Sequence, residues 1–370
     1  MSKLLEQINS ELETKETVPL ANLMSQITSK VNKIQKSDYL KFGLVPIYDQ
    51  GDNDVSGYSN DVSNAYNGKL PVVIFGDHTL RLKRISSPFF LGADGNQLIE
   101  PLDENILDRN YFYYLLLSKK PRSYGYERHF KYLKEVEVKV PNLPTQKKIA
   151  EILSAYDAKI ENNNLIIKKL EATAQTLFDE WFVNFKFPGY EKVKFVDSEM
   201  GEIPDGWNIK NVLDVIERIS PGKKYDNKSA SPSGRVPILD QGASGFIGYH
   251  DDEPGVIASI NNPVVIFTNH TCYYRILTEP FSCIQNVLPY VGKNGYDTFF
   301  VYFLTKEKIK MSEYKGHWPE FEQQVFVMPI PEIANQFSKM AKVFIEKIVS
   351  CEKENVSLKS QRDLLLAKLI

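Results

Sequence analysis

The chain has 370 residues, 42% of them apolar and 25% charged, enough for two globular domains with a core each. Its formal net charge of −2 excludes a global basic signature, so a nucleic-acid role has to rest on local patches. No apolar run is long enough to cross a bilayer, so no membrane partner is expected, and Cys272, Cys283 and Cys351 have no metal-like spacing and fit free thiols in a cytoplasmic protein.

In chain order, the opening stretch MSKLLEQINSELETKE is amphipathic and charged and lacks the apolar centre of a secretory signal. ITSKVNKIQKSDYLKFG, Ile27 to Gly43, then carries Lys30, Lys33, Lys36 and Lys41 against Asp38. VPIYDQG and PVVIFGDHT read as buried strands and turns. NYFYYLLLSKK, Asn110 to Lys120, reads as a helix whose basic end suits the negative pole of the helix dipole. It runs into a second basic segment, Ser118 to Lys131, with Lys119, Lys120, Arg122, Arg128 and Lys131 against Glu127 and with Tyr124 and Tyr126 between them.

From Thr145 to Phe187 there is neither Pro nor Gly. Ile149, Leu153, Tyr156, Ile160, Asn163, Ile167, Leu170, Ala174, Leu177 and Trp181 recur in alternating steps of 4 and 3, a heptad seam flanked by Lys and Glu. Pro188-Gly189 ends that helix.

Beyond it the chain repeats itself. VPILDQGASGFIGYHDD (Val236–Asp252) matches VPIYDQGDNDVSGYSND (Val45–Asp61) at 9 of 17 positions with a constant offset of 191. PVVIFTNHT (Pro263–Thr271) matches PVVIFGDHT (Pro71–Thr79) at 7 of 9 positions, offset 192, and Pro88-Phe89 returns as Pro280-Phe281. Such spacing identifies two copies of one mixed α/β domain; the period is far too long for a solenoid.

The second copy has its own basic loop, ISPGKKYDNKSASPSGR (Ile219–Arg235), where Lys223, Lys224, Lys228 and Arg235 face Asp226, and Tyr225 and Asn227 offer hydrogen bonds to base edges or sugar. A single basic loop is ordinarily a solvated surface. Its recurrence at the same place in both copies favours phosphate neutralisation. YDTFFVYFLTKEKIK, Tyr296 to Lys310, reads as a helix, and EYKGHWPEFEQQ, Glu313 to Gln324, is the poorer counterpart of the second basic segment, offering Lys315, His317, Trp318 and Gln323. His78 and His270 stand at matched positions before Thr, as strand-end hydrogen bonders or as base or phosphate contacts.

The tail carries a second seam through Ala341, Phe344, Ile348, Cys351, Asn355, Leu358, Arg362, Leu365 and Leu369. An isolated amphipathic helix needs a partner, and each copy supplies one. The expected architecture is α+β: two mixed α/β domains related by a pseudo-twofold axis and separated by two long antiparallel helices forming a coiled coil. The expected divisions are residues 1–143, 144–187, 188–330 and 331–370. Asn163 and Asn355 inside the seams are either tolerated polar residues or register-setting ones.

Catalytic signatures are missing. NNPVVIF, Asn261 to Phe267, has one Pro and leads into a strand, unlike the Asn/Asp-Pro-Pro-aromatic motif of an adenine methyltransferase. YVGKNGYDT has the glycines and lysine in the wrong order for a nucleotide-binding loop, and the five histidines lack metal-ligand spacing.

Taken together, the order of globule, long helix, WFVNFKFPGYE, DSEMGEIPDGW, globule and long helix, with PNLPTQKKIAEIL at Pro141–Leu153, resembles the specificity subunits of type I restriction–modification systems over essentially the whole chain. The resemblance implies two target-recognition domains, each reading half of a bipartite site on double-stranded DNA, and helices that dock two methyltransferase subunits, with up to two motor–nuclease subunits joining them. It implies adenine methylation in each half-site. S-adenosylmethionine, ATP and Mg would be bound by those partners, and this chain would bind no cofactor and carry no catalytic residues. The first globule departs from the family pattern in lacking a Pro-x-Gly-Trp lead-in, and IANQFSKMAKVF replaces LPTQKKIAEIL in the second helix. The near-neutral charge leaves a second class open, a bivalent protein-interaction scaffold without DNA binding.

Overall fold

The apolar runs of the sequence condense into short strands around a large cluster and smaller satellites in each of two units. The computed structural model describes every residue except 1, 29–30, 52, 93–94, 122–124, 126, 243–244 and 314, so Lys30, Arg122, Tyr124 and Tyr126 lie outside the described residues. One unit comprises residues 1–162 with 354–370, the other residues 163–353.

The first unit contains α1 (Ser2–Glu13), β1 (Val18–Pro19), β2 (Met24–Gln26), β3 (Lys33–Ile34), β4 (Val45–Tyr48), β5 (Gly57–Ser59), β6 (Val72–Gly76), β7 (Leu82–Ile85), β8 (Phe90–Gly92), β9 (Asn96–Pro101), α2 (Arg109–Ser118), α3 (Phe130–Glu135), β10 (Glu137–Val138) and the first half of α4 (Leu143–Phe182). An antiparallel sheet has the order β2-β9-β6-β7, and a mixed sheet the order β3-β8-β4-β5, in which β8 runs parallel to β3 and β4. A small β1-β10 pair completes the set.

The second unit repeats this plan after a hairpin of β11 (Phe195–Ser198) and β12 (Gly201–Pro204). Its elements are β13 (Asn208–Asn211), β14 (Ile216–Arg218), β15 (Lys224–Tyr225), β16 (Val236–Leu239), β17 (Phe246–His250), β18 (Val264–Thr268), β19 (Tyr274–Leu277), β20 (Ser282–Ile284), β21 (Val287–Gly292), α5 (Thr298–Thr305), α6 (Trp318–Glu322), β22 (Val325–Met328) and the first part of α7 (Pro331–Leu369). The sheet orders β14-β21-β18-β19, β15-β20-β16-β17 and β13-β22 match the first unit strand for strand. The repeated PVVIF segments become β6 and β18, buried along their whole length, and Phe89 and Phe281 are both fully buried. Asp108 caps α2 by accepting the Asn110 and Tyr111 amides, and Asp297 caps α5 by accepting that of Phe299.

Helix α5 is shorter than the sequence reading. The Thr305 hydroxyl bonds to the Val301 carbonyl and to Tyr290 Oη, and Glu307 enters the left-handed region at φ +60°, which ends the helix before Lys310.

The two seams meet antiparallel within each unit. In the first, Ile149, Ala150 and Leu153 of α4 share a core with Leu366 and Leu369 of α7 and with Leu4 and Ile8 of α1. Early residues of one helix meet late residues of the other. In the second, Ala174, Phe178, Trp181 and Phe182 pack against Ala334, Phe337, Ala341 and Ile345, with the Phe178 and Phe337 ring centres 5.6 Å apart. Of the expected seam residues, Ile149, Leu153, Ile160, Asn163, Ile348 and Asn355 are buried, and Tyr156, Ile167, Leu170, Leu177, Phe344, Leu358 and Leu365 are half-buried. Phe178, Phe182, Ile345 and Leu366 take deeper places beside them. A straight helix drifts against a 3.5-residue repeat, and a face that also packs on sheets and short helices is wider than a two-helix seam. Trp181 and Phe182 accordingly lie in the core of the second unit.

Arg362, polar within the second seam, is matched by α4. Its Nη1 donates to Asp157 Oδ1 at 2.6 Å, and Tyr114 Oη donates to the other carboxylate oxygen at 2.6 Å. Glu11 of α1 accepts the Asn142 amide and the Thr145 hydroxyl at the start of α4. Burial acts to raise its carboxyl, but these bonds and one from Gln7 hold it below the usual range. All three cysteines are buried, and all lie in residues 163–353. Burial pushes the Cys283 thiol up to about 11.

Arg362→Ala would leave the Asp157 carboxylate half-buried without its cation and cost the first unit about 1–3 kcal/mol. The double change with Asp157→Asn would recover part of it. Urea unfolding followed by hydrogen exchange in α2 and α4 measures both.

Candidate nucleic-acid interface

Within each copy the repeated motifs are joined to one another. Gln50, just after β4, accepts the His78 amide on its side-chain oxygen at 3.1 Å, and its carbonyl accepts the Thr79 hydroxyl at 2.9 Å. Gln241 accepts the His270 amide at 3.1 Å, and its carbonyl accepts the Thr271 hydroxyl. The Asp77 side chain accepts the Phe130 amide, and its carbonyl the His129 amide, both at 2.8 Å. Asn269 does the same with Trp318 and His317, again at 2.8 Å. A cation on the edge strand then holds the turn that follows each Gln. Lys83 of β7 donates to the Asn53 carbonyl, and Arg275 of β19 donates to the carbonyls of Gly242 and Gly245. The DQG and HT motifs recur because they form one clamp, built twice. In the second copy, His270 Nδ1 also bonds to the Lys315 carbonyl at 2.9 Å.

Beside the clamp each unit has a cleft at the edge of its mixed sheet. In the first it holds about 330 Å³ and is lined by Lys33 of β3, Arg128, Gln26, Asn96, Gln97 and Asp77, among others. Two basic segments that are distant in sequence thus meet there. Lys33 and Arg128 are exposed and form no ion pair with a described residue. Gln97 receives a bond from Gln26 and donates to Asp77 Oδ2 at 3.1 Å, so the amides are oriented. In the second unit the cleft holds about 660 Å³, with Lys224 of β15, Tyr225, Asn227, Asp240, Gln241, Gln285 and Asn286 in its wall. Lys33 and Lys224 occupy equivalent edge-strand positions, paired with Leu91 of β8 and Cys283 of β20. The scaffold and the leading lysine are shared, and Asp240 and Gln241 repeat Asp49 and Gln50, whereas Gln26, Asn96 and Gln97 have Arg218, Val287 and Leu288 at the matched strand positions. Arginine and lysine suit guanine edges and asparagine and glutamine suit adenine edges.

Several expected contacts are placed otherwise. His317 is fully buried, with Nδ1 on Glu320 at 2.9 Å and Nε2 on the Glu313 carbonyl at 3.1 Å. Trp318 lies in the core, its ring centre 4.9 Å from that of Phe321, with the Arg218 guanidinium over its face. This corrects the reading of both as surface contacts, because the N-terminus of α6 buries them when Asn269 caps it. His129 and Phe130 are buried in the same way in the first copy. Lys315 is exposed but held between Glu313 and Glu320, whose carboxylates push its ammonium well above the usual lysine range.

The 219–235 loop is less basic in space than in sequence. Lys223 pairs with Asp252 at 3.0 Å, Arg235 donates to the Asp251 carbonyl at 2.6 Å, and Tyr225 is buried, stacked 4.2 Å from His250 with its hydroxyl on Asp252. The bonds from Lys223 and Tyr225 hold the Asp252 carboxyl below its usual range. Lys224, Asn227 and Lys228 remain exposed, the last following an Asp226 that caps its own turn. Lys36 is exposed, Lys119 donates to the Ile370 carbonyl at 3.0 Å, and burial with the nearby Arg81 charge holds Lys120 below the usual lysine range. Sequence reasoning missed the amides Gln26, Asn96, Gln97, Gln285 and Asn286. Gln26 lies in β2, Asn96 and Gln97 in β9, and Gln285 and Asn286 directly after β20, so no one stretch of sequence announces them.

Among the described residues no group of three His, Cys, Asp or Glu side chains could hold a metal ion, and no helix is long and apolar enough to cross a membrane. A duplicated sheet scaffold on paired helices, with lysine-led, amide-lined clefts, defines the class: a recognition protein with two reading units. A family model described as the type I restriction modification DNA specificity domain matches residues 13–172. The chain is 30% identical to the type I restriction enzyme HindI specificity subunit of Haemophilus influenzae, over 80% of this chain and 82% of that one. It is 28% identical to the MjaIX specificity subunit of Methanocaldococcus jannaschii, over 64% of this chain and 60% of that subunit, short of two thirds of its length. The S subunit of a type I restriction–modification system from M. genitalium shares the fold, with a TM-score of 0.54 at 17% identity and 96% of each chain covered. The chain belongs to the family of type I restriction enzyme specificity subunits.

Because Trp318 fills the core under α6, Trp318→Ala would destabilise the second unit by about 3–5 kcal/mol. Hydrogen exchange across β18, β21 and α6, read against the unchanged first unit, measures the loss.

Proposed function

We propose that this chain is the DNA-reading subunit of a type I restriction–modification complex, each unit recognising one half of a bipartite target. The observation that carries the reading is one scaffold with different side chains at matched positions: Gln26, Asn96 and Gln97 of the first unit stand where the second has Arg218, Val287 and Leu288. A protein that binds the same feature twice needs no such difference; one that reads two unlike half-sites does. Lys33 and Lys224 anchor phosphates at matched positions. Arg128 in one cleft, and Asn227, Gln285 and Asn286 in the other, face the bases. Each unit alone binds weakly, and linkage on shared helices raises the effective concentration of the second contact.

In this reading the exposed faces of the long helices dock two methyltransferase subunits, which methylate an adenine in each half-site, and motor–nuclease subunits join them. S-adenosylmethionine belongs to the methyltransferases, and ATP and Mg to the motor. The chain contributes no catalytic group and works in the cytoplasm. Half-site centres fall about one helical turn apart, or a multiple of it, so that both units meet one side of the duplex.

Two outcomes test the proposal. Replacing residues 208–328 with the matching unit of another family member should change one half of the methylated motif and leave the other half as it was; genome-wide modification mapping with the co-expressed methyltransferase reads this, and an unaltered motif would falsify the assignment. Lys33→Ala and Lys224→Ala should each lower the slope of log affinity against log salt by about one, across all sequences, as loss of one phosphate contact requires. Titrations of the assembled complex at several salt concentrations measure the slope.

A further inference from the structure

The two copies share a backbone device, a glycine pressed on a tyrosine, whose other loop side chains differ. In the first unit Leu40 and Tyr58 form an antiparallel bridge, and the Leu44 amide bonds to the Ser59 carbonyl at 3.1 Å. In the second, Ser231 and Tyr249 form the same bridge, and the Arg235 amide bonds to Asp251 at 2.9 Å. Between these anchors lie Gly43 and Gly234. A Cβ at either would come within 2.9 Å of the facing tyrosine Cβ, at 2.8 Å in the first case and 2.9 Å in the second, so the loop presses on its strand in both copies. On this common frame the first unit presents Leu40, Phe42 and Leu44, and the second Ser231, Ser233 and Arg235.

The apolar side chains are in water. Phe42 is 71% exposed, Leu44 74% and Leu40 42%, and Val62, two residues beyond the Asn60 side chain that also accepts the Leu44 amide, is 62% exposed. Lys36 and Lys41 on the same segment are exposed and form no ion pair with a described residue, and Lys41 sits over the Phe42 ring at 5.7 Å. A cluster of apolar tips on a glycine-fixed loop is an unusual surface unless it is covered. The lysines point to a polyanion, and the asymmetry points the same way. Methyltransferase subunits of one kind, docked on both halves, need features that the halves share. A feature confined to one copy belongs with what differs between the halves, the DNA sequence.

Resting on the DNA-recognition reading, we propose that the Leu40–Leu44 tip makes an apolar contact with thymine methyl groups in the half-site read by the first unit, and that the second unit reads without one. The thymine methyl is the apolar feature of a base edge in the major groove. An adenine in each half-site guarantees at least one thymine opposite it.

The test uses the full chain assembled with its methyltransferase and a duplex carrying the mapped motif, with thymines replaced by uracil in one half and then in the other. The native complex should lose about fourfold in affinity per contacted methyl, in one half only. Grafting the second copy's residues, Phe42→Ser with Leu44→Arg, should abolish the preference for thymine over uracil there while leaving the other half and the assembly with methyltransferase unchanged. Retention of the thymine preference in the variant, or its absence in the native complex, overturns the contact. Loss of assembly with undiminished DNA affinity would assign the tip to the partner protein and overturn it as well. A native complex that binds neither duplex removes the DNA-recognition reading along with this one, and so separates the two failures.

Discussion

Two long helices, of 40 and 39 residues, each carry an apolar face that neither can leave in water. Burying those faces against each other, antiparallel, is the constraint on which the rest of the protein depends. In each unit the helix pair is also a wall of the core. It closes the first unit through Ile149, Leu153, Leu366 and Leu369, and the second through Phe178, Phe182 and Phe337. The sheets therefore do not sit on a separable stalk. Each unit takes residues from opposite ends of the chain's helical segments, so neither core is complete until both helices are present. The Asp157–Arg362 pair adds a polar requirement: a register shift by one turn would leave a half-buried carboxylate unpaired.

Within that frame, duplication has kept what holds the backbone and changed what faces outward. The clamp from Gln to the His-Thr turn, and from there to the start of a short helix, survives nearly atom for atom, although Asp77 in one copy is Asn269 in the other. An oxygen acceptor is all that position needs. The sheet edges beside it keep the lysine and the Asp-Gln pair and exchange Gln26, Asn96 and Gln97 for Arg218, Val287 and Leu288. A scaffold of this kind lets one half change its chemistry without disturbing its mate.

Much of this was legible from residues alone. The constant offset between VPIYDQG and VPILDQG, and between the two PVVIF strands, disclosed the duplication, and the alternating steps of 4 and 3 disclosed both long helices. The antiparallel pairing followed from their placement after each copy. What was not legible was which charges meet. Lys223 and Arg235 look free in the string because Asp251 and Asp252 lie some 16 to 29 residues away and reach them only through the β16–β17 hairpin. Trp318 and His317 look like a polar, aromatic surface motif because the residue that buries them, Asn269, sits 49 positions upstream of Trp318. Local composition reports exposure poorly wherever a cap is supplied by tertiary structure. The amides of the clefts went unnoticed for the converse reason: single Gln and Asn residues carry no periodicity and become a set only when the sheet edge gathers them.

The distribution of sulfur gives the protein an intrinsic reporter. Cys272, Cys283 and Cys351 are all shielded and all fall in one of the two units, and a thiol as reluctant to ionise as that of Cys283 is inert toward alkylating reagents until its surroundings open. The rate at which a maleimide consumes Cys272 and Cys283, which lie in core clusters of that unit, is thus a clock for its breathing that requires no engineered label.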